Sequence, residues 1–125
     1  MNENDISYLI RGAIYKVYNA LGPGLLESVY VAALVYELQI AGLSTKTEVA
    51  LPVVYEDQRL DLGFRLDVLV NDLVIIEVKS VEQIAEVHHK VVLTYLKLSG
   101  KKLGVLVNFN TDNIMKSIFR KVNRL

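Results

Sequence analysis

The stretch from Asp67 to Ser80, DVLVNDLVIIEVKS, constrains the fold more than any other part of the chain. Its second half, LVIIEVK, begins with an unbroken apolar run, which is typical of a strand covered by other elements on both faces. Asn71 and Asp72 are turn residues that separate it from a preceding strand. A strand of this kind needs helices on both sides of its sheet, so the stretch predicts an α/β protein.

Changes in apolar periodicity predict the other elements. Helical spacing occurs over residues 6–21, about 25–41, about 83–99 and in DNIMKSIFRKVNRL, where Thr111 or Asp112 would cap the helix. Asn4 or Asp5 would cap the first helix. Strand patterns cover residues 45–56, 59–70 and 102–109, with residues 56–58 as a hairpin connection. The predicted order is α-α-β-β-β-α-β-α, a single domain over residues 1–125 whose mixed four-stranded sheet gains its last strand in parallel.

Composition narrows the classes of function. The 14 basic and 14 acidic residues balance, so no global charge steers the chain toward nucleic acid or an anionic membrane. The absence of cysteine excludes disulfides and thiolate metal sites. No apolar run approaches the roughly 20 residues that span a bilayer, and the N-terminus MNENDISYLI lacks the basic residues of a signal peptide. We therefore expect a cytoplasmic protein without a membrane partner.

Three charged residues flank the apolar stretch. Glu77 and Lys79 share one face of the sheet, because strand side chains alternate. The position of Asp67 depends on the hairpin register. A two-residue turn would place Asp67 opposite Ile76 and away from Glu77, whereas an odd loop over residues 71–73, or a bulge, would place it opposite Glu77. The sequence leaves both registers open.

If the two carboxylates converge, something must offset their repulsion, which is roughly 4 kcal/mol at about 4 Å and an effective dielectric of about 20. Lys79 supplies one positive charge, and Mg²⁺ or Mn²⁺ would supply two. Such an ion polarises a phosphate, and a neighbouring lysine positions or deprotonates a water molecule. The alternative is structural: an ion pair of Glu77 and Lys79 at a strand end, with Asp67 solvated.

The pattern D67-x9-E77-V78-K79 on successive strands resembles the PD-(D/E)XK nuclease superfamily. The α-β-β-β-α-β order within the chain is similar to that superfamily's restriction-endonuclease-like core, with the first helix as an addition. A second motif, GPGLLESVY, carries Gly24, Glu27 and Tyr30 at the spacing of the GxxExxY proteins, a branch of the superfamily. The segments GFRLDVLVND, IIEVKSVE and YLKLSGKKLGVLVNFN resemble the same branch.

The resemblance implies roles for the residues of the site. Asp67, Glu77 and the main-chain carbonyl of Val78 would be metal ligands for Mg²⁺ or Mn²⁺, and Lys79 the catalytic lysine. Glu27 would complete the acidic cluster, through a metal-bound water molecule. Together Lys79, Glu27, Asp67 and Glu77 would form the catalytic group.

Four further residues are predicted to contact substrate. Tyr30 lies three residues after Glu27 and thus on its helix face, and Arg65 lies two residues before Asp67 on its strand face, where it could contact a phosphate. His88 and Tyr95 match positions where the family carries histidine and tyrosine. Val91 is the one departure, because the family usually has glutamine four residues before the tyrosine.

These observations predict a metal-dependent nuclease that hydrolyses phosphodiester bonds, with DNA favoured over RNA by analogy with the superfamily. The alternative is a non-catalytic module that keeps the nuclease fold and binds nucleic acid or protein. Val91, the zero net charge and the small size fit that alternative. A homodimer is also considered, since a chain this small offers little surface to grip a duplex alone.

Overall fold

The computed structural model describes residues 1–61 and 63–125. Its helices are α1 (Glu3–Leu21), α2 (Glu27–Ile40) and α3 (Glu86–Ser99), with a short 3₁₀ turn at Ile114–Lys116. Its strands are β1 (Thr45–Ala50), β2 (Val53–Tyr55), β3 (Gln58–Leu60), β4 (Arg65–Val70), β5 (Val74–Lys79), β6 (Leu103–Asn108) and β7 (Ile118–Val122). The described part of the chain contains no helix long and apolar enough to cross a membrane.

One mixed sheet of five strands carries the fold, in the order β1-β4-β5-β6-β7. β5 and β6 are parallel and are joined by α3, while the other neighbours are antiparallel. The predicted α/β class and the parallel crossover are thus confirmed. β5 lies at the centre, which explains why its sequence is apolar on both faces.

Helices cover the two faces of the sheet. On one face, side chains of α1 and α2 pack against Val68, Ile76, Val78 and other even-numbered residues of β4 and β5. On the opposite face, Tyr95 and Leu96 of α3 pack against Ile75. Asn2, rather than the predicted Asn4 or Asp5, caps α1, because its side chain accepts from the Asp5 amide while Asp5 bonds the Asn2 amide in return.

The prediction of a helix at the C-terminus was wrong. After the 3₁₀ turn, β7 pairs with β6 over Leu103↔Val122 to Val107↔Ile118, which makes a fifth strand in place of the predicted four. The amphipathic spacing of this segment is compatible with a helix, but pairing with β6 satisfies its backbone and completes the sheet. Tertiary contact therefore overrides local propensity here.

Two predicted long strands are each interrupted. Residues 45–56 divide into β1 and β2, with Leu51 and Pro52 outside both, since proline has no amide to donate to a ladder. Residues 59–70 divide between β3 and β4, and position 62 of that predicted strand lies outside the described residues. Within the described residues, β2 and β3 pair only with each other, as a hairpin joined by Glu56 and Asp57. The hairpin is thus an insertion in the chain between β1 and β4.

Candidate functional site

The loop between β4 and β5 decides where Asp67 lies. It contains three residues, 71–73, and the register runs Val70↔Val74, Leu69↔Ile75 and Val68↔Ile76. Extending that register by one step places Asp67 opposite Glu77. Asn71 and Asp72 adopt left-handed backbone conformations with φ of 51° and 55°, which asparagine and aspartate tolerate better than most residues. The odd loop is therefore the register that the chain adopts.

The carboxylate of Asp67 also ends the pairing of β4 with β5. Its Oδ2 atom accepts a hydrogen bond of 2.8 Å from the Val78 amide, where a ladder would use a main-chain carbonyl. The two strands separate beyond this point, since the last regular pair is Val68↔Ile76. The separation leaves the carboxyl groups of Asp67 and Glu77 beside each other at the end of the sheet, where each affects the pKa of the other.

The two acids share a poorly solvated environment. Glu77 is only 6% exposed, and burial, then the charge of Asp67, raise the pKa of its carboxyl to about 8. Burial also raises the pKa of Asp67, although the hydrogen bond from the Val78 amide opposes that shift. Among the described residues, Glu77 Oε1 is one of only two buried side-chain polar atoms without a hydrogen-bond partner. Both carboxyls can therefore ionise at neutral pH only if a cation beside them compensates the second negative charge.

Lys79 lies on the Glu77 face of β5, as strand alternation predicted. Its Nζ atom is 3.7 Å from Glu77 Oε2, and its side chain is 26% exposed. The charge of Lys79 acts to lower the pKa values of both acids, but burial has the larger effect. The ammonium group therefore neutralises part of the acidic charge and keeps access to solvent.

Glu27 connects the start of α2 to the end of β5. Its Oε2 atom accepts a hydrogen bond of 3.0 Å from the Ser80 amide, and Ser80 Oγ donates to the Leu25 carbonyl at 2.6 Å. Glu27 is also near enough for its charge to raise the pKa values of Asp67 and Glu77. The structure thus brings Glu27 to the acidic pair, with one carboxylate oxygen used by the backbone.

Tyr30 faces the core instead of the open site. It is fully buried, and its ring stacks on Phe109 with centroids 4.2 Å apart. Its hydroxyl donates to the Gly22 carbonyl at 2.5 Å and accepts from the Leu25 amide at 3.1 Å. Tyr30 therefore braces the GPG turn that precedes α2, and its burial leaves no surface for the predicted contact with substrate.

The other predicted substrate residues have different surroundings. Arg65 is exposed two residues before Asp67. Tyr95 is 8% exposed, and burial, then the charges of Glu77 and Asp67, raise the pKa of its hydroxyl, so it lies within electrostatic reach of the acidic pair. His88 Nδ1 accepts a hydrogen bond of 2.9 Å from the Ala85 amide, so this nitrogen is used to cap α3. Val91 packs against the apolar cluster under α3.

Two residues near the site were not predicted. Ser80 joins β5 to α2, and its position directly after E-V-K was a usable signal. Glu48 has a left-handed backbone with φ of 50°, and it faces Asp67 at the one position between Thr47↔Val68 and Val49↔Leu66 where β1 and β4 do not pair. The sequence contains no signal for this, because glutamate within a strand pattern rarely adopts that conformation.

The donor atoms at the site fit a hard divalent cation. No group of three or more histidine or acidic side chains poised for a metal occurs among residues 1–61 and 63–125. The orphaned Oε1 of Glu77 and the facing carboxyl of Asp67 nevertheless supply oxygen donors without nitrogen or sulfur. Mg²⁺ binds in this way, through one or two carboxylates, and keeps several of its water molecules.

The raised pKa of Glu77 predicts that the free energy of unfolding falls as the pH rises. The unfolded chain loses this proton near pH 4.5, whereas the folded protein keeps it up to a pKa of about 8. Between these pH values the folded state therefore binds one more proton than the unfolded state. The free energy of unfolding declines there by up to about 1.4 kcal/mol per pH unit.

Urea denaturation in EDTA at pH 5 and pH 8 measures this decline. Glu77→Gln cannot ionise, so we expect a weaker pH dependence and, at pH 8, a higher free energy of unfolding than that of the natural protein. Equal pH dependence in the two proteins would contradict the interpretation.

A mixed sheet between helices, with an aspartate and a Glu-x-Lys sequence at the separating ends of its central strands, defines an α/β protein with a restriction-endonuclease-like core. A family model described as the PD-(D/E)XK nuclease superfamily matches residues 4–122. The chain belongs to that superfamily. It matches none of the curated proteins and none of the solved structures with which it was compared.

Proposed function

We propose that the protein is a divalent-metal-dependent nuclease that hydrolyses phosphodiester bonds in DNA. Asp67 and Glu77 would hold Mg²⁺ or Mn²⁺, with the Val78 carbonyl as a further ligand. The observation that carries the proposal is the buried, unpartnered Oε1 of Glu77 beside Asp67 and Lys79. The bound ion would supply Lewis-acid polarisation of a phosphate.

The side chains around the acidic pair would position the reactants. Lys79, partly exposed and 3.7 Å from Glu77, would orient or deprotonate the attacking water molecule. Glu27 would hold the start of α2 against the end of β5 and add negative charge beside the ion. Arg65 would contact a phosphate, and the Tyr95 hydroxyl would lie near the metal ligands.

We further propose that the protein belongs to the GxxExxY branch, forms a homodimer and is located in the cytoplasm. The branch is supported by the arrangement of its motif, in which Glu27 reaches the acidic pair and Tyr30 secures the turn that orients the helix. His88 is retained as a substrate residue through its second ring nitrogen, since Nδ1 is bonded to the backbone.

A non-catalytic binding module is the second candidate. Val91, at the position where relatives of this kind usually carry glutamine, adds hydrocarbon to the cluster under α3 instead of an amide donor. Three apolar side chains on α1 and α2 are each at least 62% accessible and would suit contact with another protein: Tyr8, Tyr36 and Ile40. In this case the protein would keep the nuclease fold but would bind no metal ion.

A thermal melt with and without Mn²⁺ separates the two candidates. An ion that binds only the folded state stabilises it by about 2.7 kcal/mol at 100 times its dissociation constant, so we expect the natural protein to melt at a higher temperature with Mn²⁺. Asp67→Asn keeps an acceptor for the Val78 amide but lacks the charge, so it should lose the shift.

Asp72→Asn is the matched control, because Asp72 is an exposed loop acid paired with Lys46 and asparagine also tolerates its left-handed backbone. It should retain the Mn²⁺ shift. No shift in the natural protein, or an equal shift in Asp67→Asn, would contradict the metal site and favour the binding module.

A further inference from the structure

A cavity of about 400 Å³ adjoins the acidic pair. Asp67 belongs to both the pair and the cavity wall, and Glu27, whose charge acts on the pair, also lines the cavity, so a substrate bound at the pair lies beside it. The volume lies within the range of roughly 300–1,000 Å³ of pockets that hold small-molecule ligands. The proposed function leaves the cavity without a role.

The residues that line the cavity determine which chemical groups can bind in it. One wall is a stripe of α2, formed by Ser28, Val31, Ala32 and Val35. The opposite wall is formed by Thr47 and Glu48 of β1. No lysine, arginine or histidine among the described residues lines it. A phosphate would meet three carboxylates and two hydroxyls there but no cation, whereas a flat, uncharged group with N–H donors finds a mostly apolar wall on one side and acceptors on the other.

The base is the part of a nucleotide that has this chemistry. Each nucleobase presents an apolar face, and most carry amino or imino N–H groups that a carboxylate can accept. Glu48 and Asp67 face each other across β1 and β4 without a regular pair, and both line the cavity, so the cavity adjoins the acidic site through Asp67. A base can enter such a cavity only after it leaves a duplex stack.

We propose that the cavity between α2 and β1 holds the nucleobase adjacent to the scissile phosphate, and that the substrate is therefore single-stranded DNA. This inference rests on the proposed nuclease function.

Filling the cavity tests the inference. Ala32 is exposed at the cavity wall, so Ala32→Phe adds volume there without disturbing the core. Val29→Phe is the matched control, because Val29 lies on the same helix, is 41% exposed and does not line the cavity. Both are made in a Lys79→Ala background so that the strand stays intact during binding measurements.

The probes are a fluorescently labelled single-stranded oligodeoxynucleotide with Mn²⁺, the same strand with abasic nucleotides, and its blunt duplex. We expect Ala32→Phe to weaken binding of the intact strand by about tenfold or more, and Val29→Phe to leave it unchanged. Abasic and duplex probes should bind the Val29→Phe protein at least about tenfold more weakly than the intact strand does.

Equal binding by the two variants, or equal binding of intact and abasic strands, overturns the inference. The Mn²⁺ melting shift is measured on the same proteins. If that shift is present and lost only with Asp67→Asn, while Ala32→Phe binds normally, the inference fails and the metal site stands. If the natural protein shows no shift and binds no strand, both fail.

Discussion

Lys79→Ala is expected to reduce Mn²⁺-dependent cleavage of DNA by about 10²- to 10⁴-fold, the usual contribution of a positioned general acid or base. The ammonium group is the single cationic side chain paired with the acidic pair in the described part of the chain, at 3.7 Å from Glu77. Alanine removes the group that would orient the attacking water molecule. Cleavage of a labelled oligonucleotide, measured in single-turnover conditions, gives the rate.

The controls separate chemistry from folding. Lys97→Ala removes an exposed lysine from α3 and should leave the rate unchanged. The melting temperature of Lys79→Ala shows whether the variant is folded at the assay temperature, a necessary check because the nearly buried Glu77 loses the cation beside it. Asp67→Ala should also lose cleavage. If both Lys79→Ala and Asp67→Ala preparations cleave at the natural rate, the assignment of this site is wrong.

Tyr30→Ala is expected to lower the free energy of unfolding by about 3–5 kcal/mol, the cost of truncating a large aromatic residue in a packed core. The ring is fully buried against Phe109, and the hydroxyl bonds the Gly22 carbonyl and the Leu25 amide. Tyr30→Phe keeps the ring and should cost about 1–3 kcal/mol, because both backbone groups lose a partner. Urea denaturation measures both values.

Tyr36→Ala is the matched control for this change. Tyr36 lies on the same helix and is 64% exposed, so its truncation should alter stability by no more than about 0.5 kcal/mol. If Tyr30→Ala were as stable as Tyr36→Ala but defective in cleavage, Tyr30 would contact substrate, as the motif alone suggested, and the structural role described here would be wrong.

Much of the site was predictable because its residues are close in sequence. Glu77 and Lys79 share a face through strand alternation alone, and that face holds in the structure. The face on which Asp67 lies was not decided by the sequence. The same residues are compatible with a loop of two or of three residues, and the two loops place the side chain on opposite faces of the sheet. The three-residue loop depends on the left-handed conformations of Asn71 and Asp72. Asn71 Oδ1 accepts a hydrogen bond from the amide of Ser44, the residue just before β1.

Local pattern also could not distinguish packing from function along α2. Glu27 and Tyr30 are three residues apart, but only the position of β5 and Phe109 shows that the acid reaches the site while the tyrosine enters the core. The cavity beside them is a feature of two elements, α2 and β1, and no single stretch of sequence contains it.

The sequence by itself determined the central strand, three of its four predicted helices and the two acids with their lysine, because burial and alternation are local properties of the chain. Only the tertiary structure decided the fifth strand, the register of Asp67 and the unpaired position at Glu48. Each of these depends on backbone hydrogen bonds between segments distant in sequence, and their energies are absent from any local pattern.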